Sequence, residues 1–242
     1  MLRAGALVAV ATLALGACAA PQGRPDPFRG DALPGGERAN VGAVVAAELG
    51  FARAAQEDGQ WTAFAETATD KAVMFVPQPV NARTWLKGRA NPPEAVRWQP
   101  HEVFASCDGS LAVTRGAWQQ PDGSSGYFTT AWARQKDGEY RWVMDQGDTL
   151  AQPLAAPDFI ASQVADCSAS DGPARGKRRD APLATIVAPA CGDGGCRGGG
   201  QSADRTLSYE YAVAPDGART VTVSLVKGGS GQVVLTSEVA AQ

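Results

Sequence analysis

Three Asp-Gly pairs divide the middle of the chain into segments of strand length. The pairs at 108–109, 122–123 and 137–138 each offer the positive φ that a tight hairpin turn requires. The segments on both sides of each pair are rich in β-branched and aromatic residues, which is typical of strands. The spacing therefore predicts four antiparallel strands joined by short turns, at about 95–106, 110–119, 126–136 and 139–147.

Helical periodicity precedes these strands. Apolar residues over 41–57 recur at the spacing of an amphipathic helix, and the stretch from Trp61 to Ala68 repeats the pattern over a shorter length. Ala72 to Val76 is a run of β-formers closed by Pro77, which favours a strand. Helices followed by a long meander predict an α+β fold, in which N-terminal helices pack on a curved antiparallel sheet.

Composition changes along the chain. All six tryptophans lie within residues 38–160, which can therefore build a substantial core. Residues 161–204 are rich in Gly, Asp, Arg and Ser, so we expect an irregular, cysteine-containing linker there, although Leu183 to Val187 could add a strand. Residues 205–242 alternate apolar and polar side chains around two glycine-containing turns, which predicts a small C-terminal β-meander that needs the main domain or a partner to be stable.

Several segments between Val41 and Asp148 carry a resemblance to a known family. They are the first helix, the Gly59-Gln-Trp61 turn, the strand that begins Asp70-Lys-Ala-Val, the Trp85-Leu-Lys-Gly88 segment and the closing Tyr-Arg-Trp-Val-Met-Asp-Gln-Gly strand. In pattern and order they resemble the nuclear transport factor 2-like superfamily, and within it the ketosteroid-isomerase-like and SnoaL-like proteins of bacteria. The resemblance implies a cone-like domain over 38–160.

The same resemblance implies an apolar pocket between helices and sheet, and a homodimer formed through the sheet. Enzymes of the superfamily place acids, bases or tyrosines in that pocket. The tyrosine expected on the first helix has no counterpart here, since that helix offers Glu48 and Phe51 instead. Without this donor the paired oxyanion hole of the isomerases is incomplete.

The N-terminal residues predict an export signal. Arg3 precedes an apolar run that ends at Leu15 and is too short to span a bilayer, which needs ~20 apolar residues. Leu15-Gly-Ala-Cys18 then resembles the lipobox of bacterial lipoproteins, which implies a signal peptide at 1–17 and lipidation at Cys18. An ordinary secretory peptide with a chance cysteine is the alternative.

The residues after the lipobox indicate where the anchored protein resides. The residue after Cys18 is Ala19 and not an acidic residue. In the lipoproteins that this chain resembles, a non-acidic residue at this position implies transfer to the outer membrane of the cell envelope, facing the periplasm. Residues 18–37 are rich in Pro, Gly and Ala and predict a flexible tether. The membrane is thus an expected partner, reached through the lipid anchor.

Four further cysteines fit an oxidising compartment. Cys107, Cys167, Cys191 and Cys196 form an even set with three pairings open to it. The short glycine-rich loop favours Cys191 with Cys196, which leaves Cys107 with Cys167. A zinc site is the competing interpretation, but the spacing lacks a second nearby pair and the single histidine is distant. We therefore expect two disulfides and no metal.

Four residues are candidates for chemistry. Asp145 lies among apolar residues near the end of a strand, so burial could raise its pKa and make it an acid or base. Asp70 begins a strand where enzymes of the superfamily often keep a carboxylate, although a cap or turn role is commoner. Tyr127 could line the pocket or pack across strands. His101 titrates near neutrality, but at a strand edge or bulge we expect it to be exposed and idle.

Charge and motifs exclude some functions. A formal net charge of −3 gives no electrostatic reason to bind nucleic acid. No phosphate-binding glycine motif precedes a helix, and no cofactor is indicated. A basic run at 175–179 could contact lipid headgroups or be merely solvated.

These observations favour a cell-envelope lipoprotein whose non-catalytic domain binds a small apolar ligand or an envelope protein. An isomerase-like or dehydratase-like enzyme using Asp70 or Asp145 as general acid or base, with Tyr127, is the first alternative. A purely structural envelope protein, its pocket filled by its own tryptophans, is the second.

Replacing the predicted acylation site tests the lipobox. Cys18→Ser removes the thiol that would carry the lipid, so we expect most of the protein to leave the membrane fraction for the soluble fraction. Fractionation followed by immunoblotting measures this. A variant that stays with the membrane would show that the lipobox interpretation is wrong.

Overall fold

The N-terminal helices lie on one face of a sheet. The computed structural model describes residues 39–167 and 182–241, and the first helix, α1 (Val41–Glu57), has the bounds that its periodicity predicts. The Asn40 side chain caps it by accepting a hydrogen bond from the Ala43 N–H at 3.0 Å. Two shorter helices follow, α2 (Gln60–Thr67) and α3 (Ala82–Leu86).

Seven strands form the first sheet, in the order β2-β1-β6-β5-β4-β3-β7. The four central strands are antiparallel neighbours, and Gly109, Gly123 and Gly138 adopt φ values of 64°, 89° and 90° in the turns between them. The strands are β1 (Ala68–Phe75), β2 (Pro79–Asn81), β3 (Arg97–Ala105), β4 (Leu111–Gln119), β5 (Ser125–Arg134), β6 (Tyr140–Thr149) and β7 (Ala161–Val164).

The prediction of a wholly antiparallel sheet is wrong at both sides of this central set. β1 runs parallel to β6, and β7 runs parallel to β3. Parallel neighbours are joined by long crossovers, so no turn sequence marks them. The fold is nevertheless the predicted mixture of a few helices with a predominantly antiparallel, curved sheet.

Five more strands form a second sheet, in the order β12-β11-β10-β9-β8, with every neighbouring pair antiparallel. The three strands predicted after residue 205 are present as its last three. Its strands are β8 (Thr185–Gly192), β9 (Gly195–Gln201), β10 (Leu207–Val213), β11 (Arg219–Lys227) and β12 (Ser230–Val239).

The expectation of an irregular linker over 161–204 is therefore wrong for the residues that form β7, β8 and β9. β7, β8 and β9 all lie in it, and the glycines that suggested a loop have a packing role in β9. A Cβ at Gly198 would overlap the Tyr211 hydroxyl, and one at Gly200 would overlap the Tyr209 ring. Glycine-rich composition here reflects the close approach of tyrosine side chains to a strand.

The two sheets share one apolar core. Phe104, Val113 and Val143 of the first sheet cluster with buried residues of the second, among them Leu207 and Val223. The first sheet is thus covered on both faces, by helices on one side and by the second sheet on the other. The face of the first sheet opposite the helices is therefore occupied by strands of the same chain.

Two turns of the same shape lock the sheets together. Asp108 lies in the β3–β4 turn and Asp204 in the β9–β10 turn, and each aspartate Oδ2 accepts a hydrogen bond from the backbone N–H of the other, at 3.1 and 2.8 Å. The flanking segments match as well, Ser-Cys-Asp-Gly-Ser-Leu at 106–111 and Ser-Ala-Asp-Arg-Thr-Leu at 202–207. Arg205 takes a φ of 63°, close to the 64° of its counterpart Gly109.

Two disulfides cross-link the described part of the chain. Cys107 is bonded to Cys167 and Cys191 to Cys196, which is the pairing that the sequence favoured. With these thiols in covalent bonds, none of them can ligate zinc. Within residues 39–167 and 182–241, no helix is both long and apolar enough to cross a bilayer.

A single substitution tests whether both sheets unfold together. Leu225 is fully buried in the second sheet, so Leu225→Ala should lower the free energy of unfolding by about 2–5 kcal/mol. All tryptophans lie in the first part of the chain, so tryptophan fluorescence during thermal unfolding reports on that part alone. We expect its transition temperature to fall.

The exposed Val233, in the same sheet, supplies the control. Val233→Ala should change stability by less than about 0.5 kcal/mol. A tryptophan transition that does not move in Leu225→Ala would mean that the sheets unfold independently.

Candidate functional site

An open cavity of about 450 Å³ lies between the helices and the first sheet. Its walls come from all three helices and from β1, β3, β4, β5 and β6. Eight of its lining residues are aromatic: Phe51, Trp61, Phe64, Phe75, Trp85, Trp98, Trp118 and Phe128. The tryptophans form the walls of this cavity and leave it open.

Edge-to-face contacts hold the aromatic walls in place. Phe51 of α1 packs against Phe64 and Trp98 with ring centroids 4.7 and 4.8 Å apart, and Trp61 packs against Trp85 at 5.6 Å. Such pairs contribute ~0.5–1.5 kcal/mol beyond their burial. The cavity surface is therefore preorganised by contacts among its own residues.

The indole N–H groups of two wall tryptophans are already used. Trp98 donates to Glu48 Oε1 at 2.8 Å, and Trp118 donates to the backbone carbonyl of Tyr127 at 2.9 Å. What these side chains offer to the cavity is therefore apolar ring surface.

Glu48 holds the wall residue Trp98 in place by a hydrogen bond from within the core. It is fully buried on the apolar face of α1, where its Oε2 accepts hydrogen bonds from the Thr114 hydroxyl at 2.6 Å and from Trp132 Nε1 at 3.0 Å. Burial raises the pKa of this carboxyl, and the hydrogen bonds from Thr114, Trp98 and Trp132 oppose the rise.

In the sequence, Glu48 stands out only as a residue of the first helix in place of the expected tyrosine. A charged residue in the buried stripe of an amphipathic helix was the signal that could have identified it, because such a group must find donors inside the protein.

Asp145 is one of the ionisable residues that line the cavity. It lies on β6 and lines the cavity, and its Oδ1 accepts a hydrogen bond from the Thr130 hydroxyl at 2.7 Å. Burial raises the pKa of Asp145 to about 7, against the lowering effect of the Thr130 hydrogen bond. The charge of Glu48 raises this pKa further and that of Arg219 lowers it. A carboxyl of this kind can exchange protons near neutral pH.

Of the four candidate residues, the structure places only Asp145 at the cavity. The Asp70 side chain is 93% exposed and lies 3.6 Å from the Arg83 guanidinium. Tyr127 faces the second sheet, where its hydroxyl donates to the Glu238 carbonyl at 3.2 Å, and burial raises its pKa.

His101 contradicts the expectation of an exposed, idle histidine. It lies at a bulge in β3, as its position suggested, but it is buried, and its Nε2 has no hydrogen-bond partner in the described part of the chain. Burial lowers its pKa. It does not line the cavity.

Several other expected sites lie in parts of the chain that the structure does not describe. Cys18, the signal peptide, nearly all of the tether and the basic run at 175–179 lie outside the described residues. Among residues 39–167 and 182–241, no group of three or more His, Cys, Asp or Glu side chains could hold a metal ion.

Comparison with known proteins leaves the family open. No family model matches the chain, and no curated protein matches it significantly. One solved structure from Novosphingobium aromaticivorans, whose description proposes an aromatic ring hydroxylase, is similar over 46% of this chain and 90% of its own, with 14% identity and a TM-score of 0.34. A likeness at that level supports no conclusion about fold or function.

The raised pKa of Asp145 predicts a pH dependence of stability. Below pH about 4 the carboxyl is protonated in both folded and unfolded chains, and above pH about 7 it is ionised in both. Between these limits the folded chain binds more protons, so this carboxyl makes the free energy of unfolding fall as pH rises from 4 to 7. Asp145→Asn should flatten that fall by an amount on the order of 2–4 kcal/mol.

Urea unfolding at a series of pH values measures the effect. Glu48 contributes in the same direction and His101 in the opposite one, so the difference between the variant and the unsubstituted protein isolates Asp145. Asp70→Asn is the matched control, because its carboxylate is exposed. Identical pH profiles for Asp145→Asn and the unsubstituted protein would contradict the raised pKa.

Proposed function

We propose that this protein binds a small, flat, apolar ligand in the aromatic-lined cavity. The observation that carries the proposal is an open cavity of about 450 Å³ with eight aromatic side chains in its lining, within the range of ~300–1,000 Å³ typical of small-molecule sites. Ring faces contact ligands mainly through dispersion and the hydrophobic effect, and they favour flat partners.

A cone-like domain of the nuclear transport factor 2-like kind is the proposed framework for this site. Helices α1 and α2 cover one face of the curved first sheet, and the cavity lies between these helices and the sheet. A pocket between helices and sheet is what the resemblance implies for such a domain. The second sheet is an addition to that framework, and it supports the cavity from behind through Arg219. This side chain donates to Gln146 Oε1 and to the Gly147 carbonyl, both at 3.2 Å.

A lipid anchor at Cys18 is the proposed means by which the domain is held at the outer membrane, facing the periplasm. Two disulfides in the described residues support an oxidising compartment. An envelope protein could occupy the cavity mouth in place of a free ligand, and the binding experiment below distinguishes these partners.

Acid–base catalysis at Asp145 is the second candidate function, favoured by the pKa of about 7 at the cavity wall. An isomerase or dehydratase would use this carboxyl to remove and return a proton on a carbon next to a carbonyl. Neither Asp70 nor Tyr127 lies where it could assist, so Asp145 would act without either of them.

Filling the cavity mouth tests ligand binding. Val76 lines the cavity and is 38% exposed, so the larger side chain of Val76→Trp should occupy part of the site. Using 2-naphthalenemethanol as a neutral flat probe, we expect its affinity to fall at least tenfold. Saturation-transfer NMR and native mass spectrometry measure it.

Val233→Trp is the control, because Val233 is exposed on the second sheet and the same bulk there should leave binding unchanged. Equal probe affinity in the two tryptophan variants would place binding elsewhere and contradict the proposal. Loss of a co-purified protein with no effect on the probe would favour the protein-binding alternative.

Proton exchange tests the enzymatic candidate. In D₂O, exchange of the α-protons of 2-tetralone should be accelerated by the protein and should lose most of that acceleration in Asp145→Asn, with Asp70→Asn unchanged. NMR follows the loss of the α-proton signal. Acceleration that survives Asp145→Asn would remove this carboxyl from the chemistry.

A further inference from the structure

The cavity has a one-sided charge character. Among residues 39–167 and 182–241, the ionisable side chains that line it are Asp145 and Asp148, and no Lys, Arg or His does. The remaining lining is aromatic, apolar or neutral polar. A cavity with carboxyl groups and no basic side chain disfavours anionic ligands and favours a ligand that brings positive charge.

The ring surfaces strengthen this preference. Aromatic faces carry negative potential and attract cations within about 6 Å of the ring centroid. Two cations of the protein already use wall rings in this way. The Arg89 guanidinium lies 3.5 Å from the centroid of Trp85, and that of Arg219 lies 4.5 Å from the centroid of Phe75.

The Asp145 carboxylate has capacity left for a ligand. One of its oxygens accepts from Thr130, and no described residue donates to the other. Trp98 and Trp118 direct their N–H groups to internal acceptors, so they do not compete for the carboxylate. A cationic nitrogen at Asp145 would form an ion pair with this carboxylate while the body of the ligand rests on ring faces.

We propose that the ligand of this cavity is an organic cation, an amine whose apolar body packs against the aromatic walls and whose charged nitrogen lies at Asp145. This inference rests on the proposed ligand binding in the cavity and adds one positive charge to the apolar ligand proposed there. Recognition of such ligands by aromatic walls and a carboxylate combines cation–π attraction with an ion pair in a partly desolvated site.

The charges around Asp145 set the pH dependence of such binding. Glu48 approaches it from α1, Asp148 lies on the same strand, and Arg219 of β11 is the cation that acts on it. Glu48 favours the protonated form of Asp145 and Arg219 favours the ionised form. A bound cation also favours the ionised form, so the affinity for a permanently charged ligand should rise as pH rises through about 7.

A matched pair of probes tests the proposal on the full chain. Benzyltrimethylammonium and neopentylbenzene have the same shape and differ in one positive charge. At pH 8, we expect the cation to bind at least tenfold more tightly, by tryptophan fluorescence and native mass spectrometry. Asp145→Asn should reduce the affinity for benzyltrimethylammonium at least tenfold and abolish its rise with pH, and should leave the affinity for neopentylbenzene unchanged. Asp70→Asn is the control and should bind both probes as the unsubstituted protein does.

The outcomes separate this inference from the function on which it rests. Equal or tighter binding of neopentylbenzene, with loss of binding in Val76→Trp, would overturn the cation preference and leave the ligand-binding cavity standing. Cation binding that survives Asp145→Asn would also overturn it. Failure of both probes, together with failure of 2-naphthalenemethanol, would overturn both proposals.

Discussion

The central sheet carries apolar side chains on both faces, and neither face can be left in water. Val103 and Ala105 pack toward the helices, whereas Phe104 between them packs toward the second sheet. Alternation along one strand therefore requires two covering layers. The helices supply one, and β8 to β12 supply the other. Burial of this area on both sides is the largest favourable term available to a chain of this composition.

Polar contacts, as well as apolar packing, determine the position of the second sheet on the first. Hydrophobic packing alone tolerates sliding of one sheet over another, but the reciprocal hydrogen bonds between Asp108 and Asp204 permit one register. The Cys107–Cys167 disulfide joins the same corner to the segment that follows β7. From this corner the second sheet extends to Arg219, which contacts β6 at the residues next to Asp145.

Two acidic residues, Glu48 in the core and Asp145 in the cavity lining, show how environment decides the behaviour of a carboxyl. Glu48 has three donors and no access to water, so it serves to position Trp98 and Trp132. Asp145 has one donor and borders the cavity, so it can meet a ligand. Asp70, with the same side chain as Asp145, is exposed and has no role at the site. A buried carboxyl left without its donors would be costly, which explains why Glu48 and its tryptophans occur together.

Sequence by itself determined the elements whose signals are local: the bounds of α1, the hairpin turns at Asp-Gly pairs, the strands after residue 205 and the disulfide across the short Cys191–Cys196 loop. The sequence also identified Asp145 as a carboxyl among apolar residues near the end of a strand. Only the tertiary structure decided that β1 and β7 pair in parallel, that glycines of β9 make room for Tyr209 and Tyr211, and that Glu48 faces two tryptophans and a threonine. These features depend on residues that are distant in the chain and close in space, and no local pattern of side chains reports such contacts.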